Sequence, residues 1–233
     1  MEHEMPYLLG VQELETIVRT FNPAIKNFER GESILRKDVR ENRLCFLLNG
    51  TAYLQIENEY DSKQILDYFV RGQVLCHDML AEPHNGHCYV FAKYPCSIAY
   101  IDPIDIIGCS QAHKDDLLSR LPGFIFRSIL SSAQQHRHIL QQKTIRNKLL
   151  SFFHYQISLH GSHSFRLPLP CSDLADYLSV DRSAMMKELS RLSNDGIIEK
   201  KGRKIKLLMW PARLLPFPLF YDRITIVLLI QDN

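Results

Sequence analysis

Between Lys200 and Lys206 the chain reads KKGRKIK, five cations in seven positions. Ammonium and guanidinium groups at that density suit phosphate or another polyanion, and the glycine among them leaves room for a tight turn. A little upstream, DRSAMMKELSRL places Arg182, Ser183 and Lys187 close together. A guanidinium grips the edge of a guanine through two parallel hydrogen bonds, and a hydroxyl can donate or accept, so these types can read bases as well as hold phosphates. A second chemically capable group is Cys76, His77, His84 and His87, thiol and imidazole ligands of the kind that bind zinc or iron.

The cationic residues need elements to aim them. Met185, Leu189 and Leu192 recur at i, i+4 and i+7, the buried stripe of a helix, which leaves Arg182, Ser183, Met186 and Lys187 on the outer face of its first turns. Before it, Leu174, Ala175 and Leu178 share one face of a shorter helix, and the small Ala175 allows a close crossing. Ser179-Val180 breaks the pattern, and Ser179 or Asp181 can cap the second helix. GIIEKKGRKIKLL then reads as strand, turn and strand, with Ile205 and Leu207 alternating and Lys200, Lys201, Arg203 and Lys204 on the hairpin. Two crossed helices followed by a basic hairpin form a winged helix-turn-helix, whose second helix enters the major groove while the wing meets phosphates. Ser172, at the start of the first helix, joins this expected contact set. Charge agrees: Arg166 to Leu208 holds nine Lys/Arg against six Asp/Glu, out of 28 and 26 in the whole chain.

The preceding residues divide in two. From about Lys26 to Asp102 short apolar runs alternate with turn residues, the pattern of an antiparallel sandwich or barrel. Gly31 punctuates before Ile34 and Leu35, Gly72 and Pro95 later, and Asn49-Gly50 between two apolar runs predicts a hairpin turn. From Pro103 to Gly161 the composition is helical. Phe126, Ile129, Ala133, His136 and Leu140 recur at the a/d spacing of a helical seam. With 45% apolar and 23% charged residues the 233-residue chain has material for a sizeable core. Six cysteines lie scattered without a C-x-x-C pair, and MEHEMPYLLG does not read as a secretory signal, so reduced thiols in the cytoplasm are expected. No apolar run reaches the ~18 residues of a membrane helix.

Taken in order, FERGES, FLLNGTAYL and GQVL, then the long helix, then DLADYLSVDRSAMMKELSRLSNDGII, resemble the Crp/Fnr family of bacterial transcription regulators over about residues 15 to 208. The resemblance implies an α+β protein: an antiparallel β-roll sensor of the cyclic-nucleotide-binding, jelly-roll type over 1–120, a dimerisation helix over 121–143, and a winged-helix DNA-binding domain over 144–210. Residues 211–233, with the apolar ITIVLLI, form an atypical extension. It further implies that Arg182, Ser183 and Lys187 serve bases and nearby phosphates, that Phe126, Ile129, Ala133, His136 and Leu140 join two subunits, and that the partners are a palindromic operator in double-stranded DNA and RNA polymerase. No membrane partner is expected.

The same resemblance locates an effector pocket at Cys76, His77, Gly86 and His87, and argues against cyclic AMP. Nucleotide-binding members carry G-[DE]-x-x-G-E-L followed by R-[ST]-A, in which the Glu holds the ribose and the Arg the phosphate. Here Cys76-His77 replaces Gly-Glu and Gly86-His87 replaces Arg-[ST], so the phosphate has no cation. An iron–sulfur sensor is not expected, since no cysteine precedes Cys45. No cofactor is expected, with haem held by Cys76 and His77 as the alternative. A cupin-like metal enzyme using His77, His84 and His87 is the rival from another class, but H-x6-H-x-x-H lacks that fold's H-x-H pair and carboxylate. The expectation is therefore no catalytic residues, no protein metal site, and a homodimeric DNA-binding regulator under a small effector other than cyclic AMP.

Overall fold

A computed structural model describes residues 8–58, 63–80, 86–112 and 117–209. Helix α1 (Val11–Phe21) buries Leu14 and Ile17 and is stapled at its start, where Glu13 Oε2 accepts from the Gly10 amide at 2.6 Å. Six strands follow: β1 (Ala24–Phe28), β2 (Ser33–Arg36), β3 (Leu44–Asn58), β4 (Lys63–Val70), β5 (Val74–Leu75) and β6 (Gly86–Ile101). Every pairing is antiparallel, in the order β1-β6-β3-β4, with β2 also on β6 and β5 also on β3. The long strands β3 and β6 each serve one partner near one end and another near the other. The two ends thereby meet over a shared core of Leu35, Leu54, Leu75, Val90 and Ile98, which makes the expected roll.

One expected turn is corrected. Asn49-Gly50 does not reverse the chain; β3 runs straight through it. Gly50 does adopt the positive φ of 93° that suggested a hairpin, but it sits in an irregular stretch of the β3–β6 ladder. A Cβ there would lie 2.2 Å from the Pro95 carbonyl oxygen, so glycine is needed for strand-to-strand approach rather than for a turn.

Helices α2 (Pro103–Ala112), α3 (Leu117–Leu140) and α4 (Ile145–His160) come next. The helix expected over 121–143 thus starts earlier and ends sooner, with Pro122 inside it; α4 begins afresh where the Thr144 hydroxyl accepts from the Asn147 amide at 3.1 Å. The rest is β7 (Ser164–Arg166), α5 (Cys171–Tyr177), α6 (Arg182–Asn194), β8 (Ile198–Lys201) and β9 (Lys204–Leu207), the strands forming a second sheet in the order β7-β9-β8. The two ends of α3 serve different cores. Leu121, Phe124 and Ile125 pack with Leu14, Ile17 and Phe46, whereas Ile139 joins Phe152, Leu174, Leu189 and Ile205. This second core also takes Tyr53, Ile65 and Tyr68 from the roll, so the C-terminal elements and the roll are packed on one another. No helix among the described residues is long and apolar enough to cross a membrane. His84 and the 211–233 extension lie outside the described residues.

Candidate nucleic-acid interface

The helix pair forms as its sequence directs. Met185, Leu189 and Leu192 of α6 are buried in one core with Leu174, Ala175 and Tyr177 of α5. The turn between them needs one left-handed residue, and Ser179 supplies it at φ 51°. The cap is Asp181, whose carboxylate accepts from the Ala184 amide at 2.8 Å. Arg182, Ser183 and Lys187 are exposed on the first turns of α6, and Met186 is half-buried. Ser172 is exposed at the start of α5, its hydroxyl donating to Asp173. Arg146 of α4 braces α6 by pairing with Asp195 and, at 3.5 Å, Glu188.

Strand register sorts the basic run into groups that charge counting merges. In the second sheet Arg166 pairs with Lys204 and Lys204 with Lys201, so these three side chains form one row across three strands on one face. All three are exposed. The next row, Ser164, Lys206 and Glu199, lies on the same face. Lys200 pairs with Ile205, which is fully buried, and so points to the opposite face, where it is half-buried. Arg203 is a correction to the expected phosphate contacts. Its guanidinium donates to the Leu167 carbonyl from Nε at 3.1 Å and from Nη2 at 2.6 Å, and to the Pro168 carbonyl at 2.9 Å. It ties the wing to the segment before α5. Lys206 belongs to the basic run but not to the expected hairpin contacts, and Arg166 lies outside both, although the apolar Phe165 between Ser164 and Arg166 is the alternation that shows Arg166 facing outward.

Among the described residues Arg182, Lys187, Arg166, Lys204 and Lys206 enter no ion pair, while Lys201 meets Glu199 at 2.9 Å. Like charges facing each other across strands destabilise a sheet slightly, and Glu199, beside the row, offsets part of that cost. The Glu199 carboxyl is held below its usual range by its bond to Lys201 and stays ionised.

The expected dimer seam separates. Phe126 is 65% exposed and Leu130 43% exposed, one helical turn apart. Ile129 instead packs partly into the chain's own core, and Leu140 is half-buried. Ala133 lies on α3 with its surroundings outside the described residues. His136 does not belong to an outer seam: it is buried, stacked on Tyr177 at 4.2 Å between centroids, and its Nε2 donates to the Tyr177 carbonyl at 2.9 Å. The heptad spacing is real, but at His136 the helix meets Tyr177 of α5 within the same chain.

In the roll, Cys76 and His77 are half-buried at the end of β5 and the start of a one-turn 3-10 helix (His77–Leu80). His77 Nε2 lies 3.2 Å from the Arg36 carbonyl. Gly86 opens β6 and His87, exposed, pairs with Glu57. A shallow cleft of about 540 Å³ is lined by Ser33, Arg36, Lys37, Asp38, His87, Cys88 and Tyr89. It takes in His87 but neither Cys76 nor His77. Its arginine is already held by Asp38 at 2.9 and 2.7 Å, which pulls that carboxyl below its usual range. Among the described residues no three His, Cys, Asp or Glu side chains gather as a metal site. All six cysteines are free thiols, and burial pushes Cys45 up to about 12.

Residues 146–212 match the model of the Crp-like helix-turn-helix domain. Over a longer stretch the chain is 22% identical to the electron transport regulator A of Shewanella oneidensis, covering 86% of this chain and 81% of that protein. It is also 22% identical to the anaerobic regulatory protein of Haemophilus influenzae, covering 87% and 79%. Among solved structures it resembles FixK2 from Bradyrhizobium japonicum, with a TM-score of 0.59, 19% identity, and 79% and 92% of the two chains covered. OCPA-complexed CprK gives a TM-score of 0.59 at 16% identity, covering 82% and 90%.

Proposed function

Because the chain is a Crp/Fnr-family transcription regulator, with a Crp-like helix-turn-helix on an antiparallel roll, we propose that it is a homodimer that reads a two-fold operator in double-stranded DNA. The observation that carries this is the exposed first two turns of α6, with Arg182, Ser183 and Lys187, together with the outward row of Arg166, Lys204 and Lys201. In this reading α6 enters the major groove and the row meets phosphates. Bound at an operator, the dimer would act on RNA polymerase. The second subunit would cover Phe126 and Leu130, apolar side chains that a lone chain leaves in water. The effector would be a small molecule other than cyclic AMP, since Gly86 offers no side chain and the cleft arginine is engaged by Asp38. Haem on Cys76 and His77 stands as the alternative within the same family.

The test is selection of binding duplexes from a random pool, followed by light scattering of wild type and Phe126→Asp. A shared two-fold motif and a monomeric variant are expected. Wild-type protein that enriches no motif, or a Phe126→Asp protein that stays dimeric, overturns the respective part. Cyclic AMP added to the same binding assay should change nothing, and saturable tightening would restore it as the effector.

A further inference from the structure

Helix α5 has seven residues, too few to be stable alone, and beside its apolar packing on α6 the polar groups that hold it come largely from outside its own domain. Asp173, in its first turn, accepts from the Tyr53 hydroxyl on β3 at 2.9 Å and pairs with Lys93 on β6 at 2.7 Å. The Lys93 ammonium also lies 5.1 Å from the Tyr53 ring centroid, so the three side chains close on one another. One turn on, Asp176 accepts from the Ile65 amide on β4 at 3.3 Å, and past the helix end Ser179 accepts from Gln64 at 2.9 Å. At the far end His136 donates to the Tyr177 carbonyl and Lys148 to the Leu178 carbonyl.

The Asp173 and Lys93 side chains are only 15% and 25% exposed, so neither charge can be left alone without a desolvation penalty. Burial pushes the Asp173 carboxyl up, but hydrogen bonds from Lys93, Tyr53 and Ser172 outweigh it and bring it below its ordinary range. Lys93 and Tyr53 stand on the same face of the roll as Phe91 and Tyr89. Tyr53 meets Phe91 edge-on at 5.8 Å, and Phe91 meets Tyr89 at 5.9 Å, which brings this row to the rim of the cleft.

We propose that Lys93 and Tyr53 are positioning residues for DNA recognition: from the sensor sheet they clamp Asp173 and so set the orientation of the helix-turn-helix. The proposal rests on the regulator reading. The roll then does more than carry an effector site, because the angle at which α6 meets DNA is set through a salt bridge to the roll. The recognition turn stays exposed while the clamp is closed, so the clamped arrangement is the one competent to bind.

The experiment uses the full chain and a duplex selected by the wild type. Lys93→Met should weaken operator binding roughly tenfold when read well below the melting transition, weaken scrambled duplex much less, and speed amide exchange in 171–177. It should also lower the melting temperature, because Asp173 loses its cation while staying largely buried. Asp173→Asn should weaken operator binding as well. That sign is diagnostic: if these charges acted on DNA only by Coulomb attraction, removing a carboxylate would tighten binding. Lys93→Arg should retain most of the affinity, and Lys93→Met combined with Asp173→Asn should be little worse than either alone. Tighter binding by Asp173→Asn, additive losses, or Lys93→Met behaving as wild type on the operator would overturn the clamp. Wild-type protein that selects no duplex defeats the regulator reading instead. Unchanged amide exchange over 171–177 in Lys93→Met defeats the clamp whatever the DNA result.

Discussion

The outer face of the wing sheet and the hinge beneath α5 carry the same residue types to opposite ends. On the wing, Arg166 and Lys204 stand in water without an ion pair among the described residues. At the hinge, Arg203 is spent on the Leu167 and Pro168 carbonyls, Lys148 on the Leu178 carbonyl, and Lys93 on Asp173. Both regions count equally in a charge tally. Only one can exchange its water for phosphate at small cost to the fold; the other is already consumed in building the domain.

The sharpest way to break this contrast is Arg203→Ala. It strips three donors from two main-chain carbonyls, one of them on the fully buried Leu167. A loss of roughly 2–3 kcal/mol in urea unfolding is expected, against less than ~0.5 kcal/mol for Lys204→Ala on the exposed face. Equal stability losses would erase the distinction. Next in size is Arg182→Ala, which should lower the preference for operator over scrambled duplex by about 1–3 kcal/mol while sparing much of the non-specific binding. A uniform loss on both duplexes would move Arg182 into the phosphate group.

Lys204→Ala and Arg166→Ala should weaken every sequence alike, each reducing the slope of log affinity against log salt by about one. A slope that does not move would place the row away from DNA. The smallest effect concerns acid. Burial lowers the pKa of His136 and His154 below the ordinary 6.5, so both are neutral when folded. Below about pH 6.5 the unfolded chain takes up protons that the folded chain refuses, so stability is complete above that value and declines as pH falls toward the folded pKa. Urea midpoints should therefore drop between about pH 7.5 and 5.5. In His136→Gln the drop should be shallower, and an unchanged drop would remove His136 from this account.

What the sequence made legible were the features encoded locally. The stripe of Met185, Leu189 and Leu192, the cap at Asp181 and the break at Ser179 all depend on residues within a few positions of one another, and all appear as expected. The failures involve distant partners. Gly50 needs positive φ in a hairpin or in an irregular ladder alike, and only Pro95, across the sheet, decides between them. The row of Arg166, Lys204 and Lys201 requires the β7–β9 register, which no local pattern specifies. His136 keeps seam spacing, yet α5 is what it meets. Arg203 looked like its neighbours because its two acceptors lie 36 and 35 positions upstream.

The bonds that seat α5 on the roll span 120, 115 and 111 positions of chain. At ribosomal rates of about 5–20 residues per second, the roll emerges on the order of ten seconds before α5. Until α5 arrives, Tyr53 and Phe91 lack the helix that packs beside them, although their neighbour Tyr68 already has Phe152 and Gln156 of α4. This aromatic sheet surface is attractive to chaperones and to other nascent chains. A chain arrested before Cys171 should bind an apolar dye that the finished protein excludes. The docked arrangement therefore forms late in synthesis, once residues 171–179 have followed the roll.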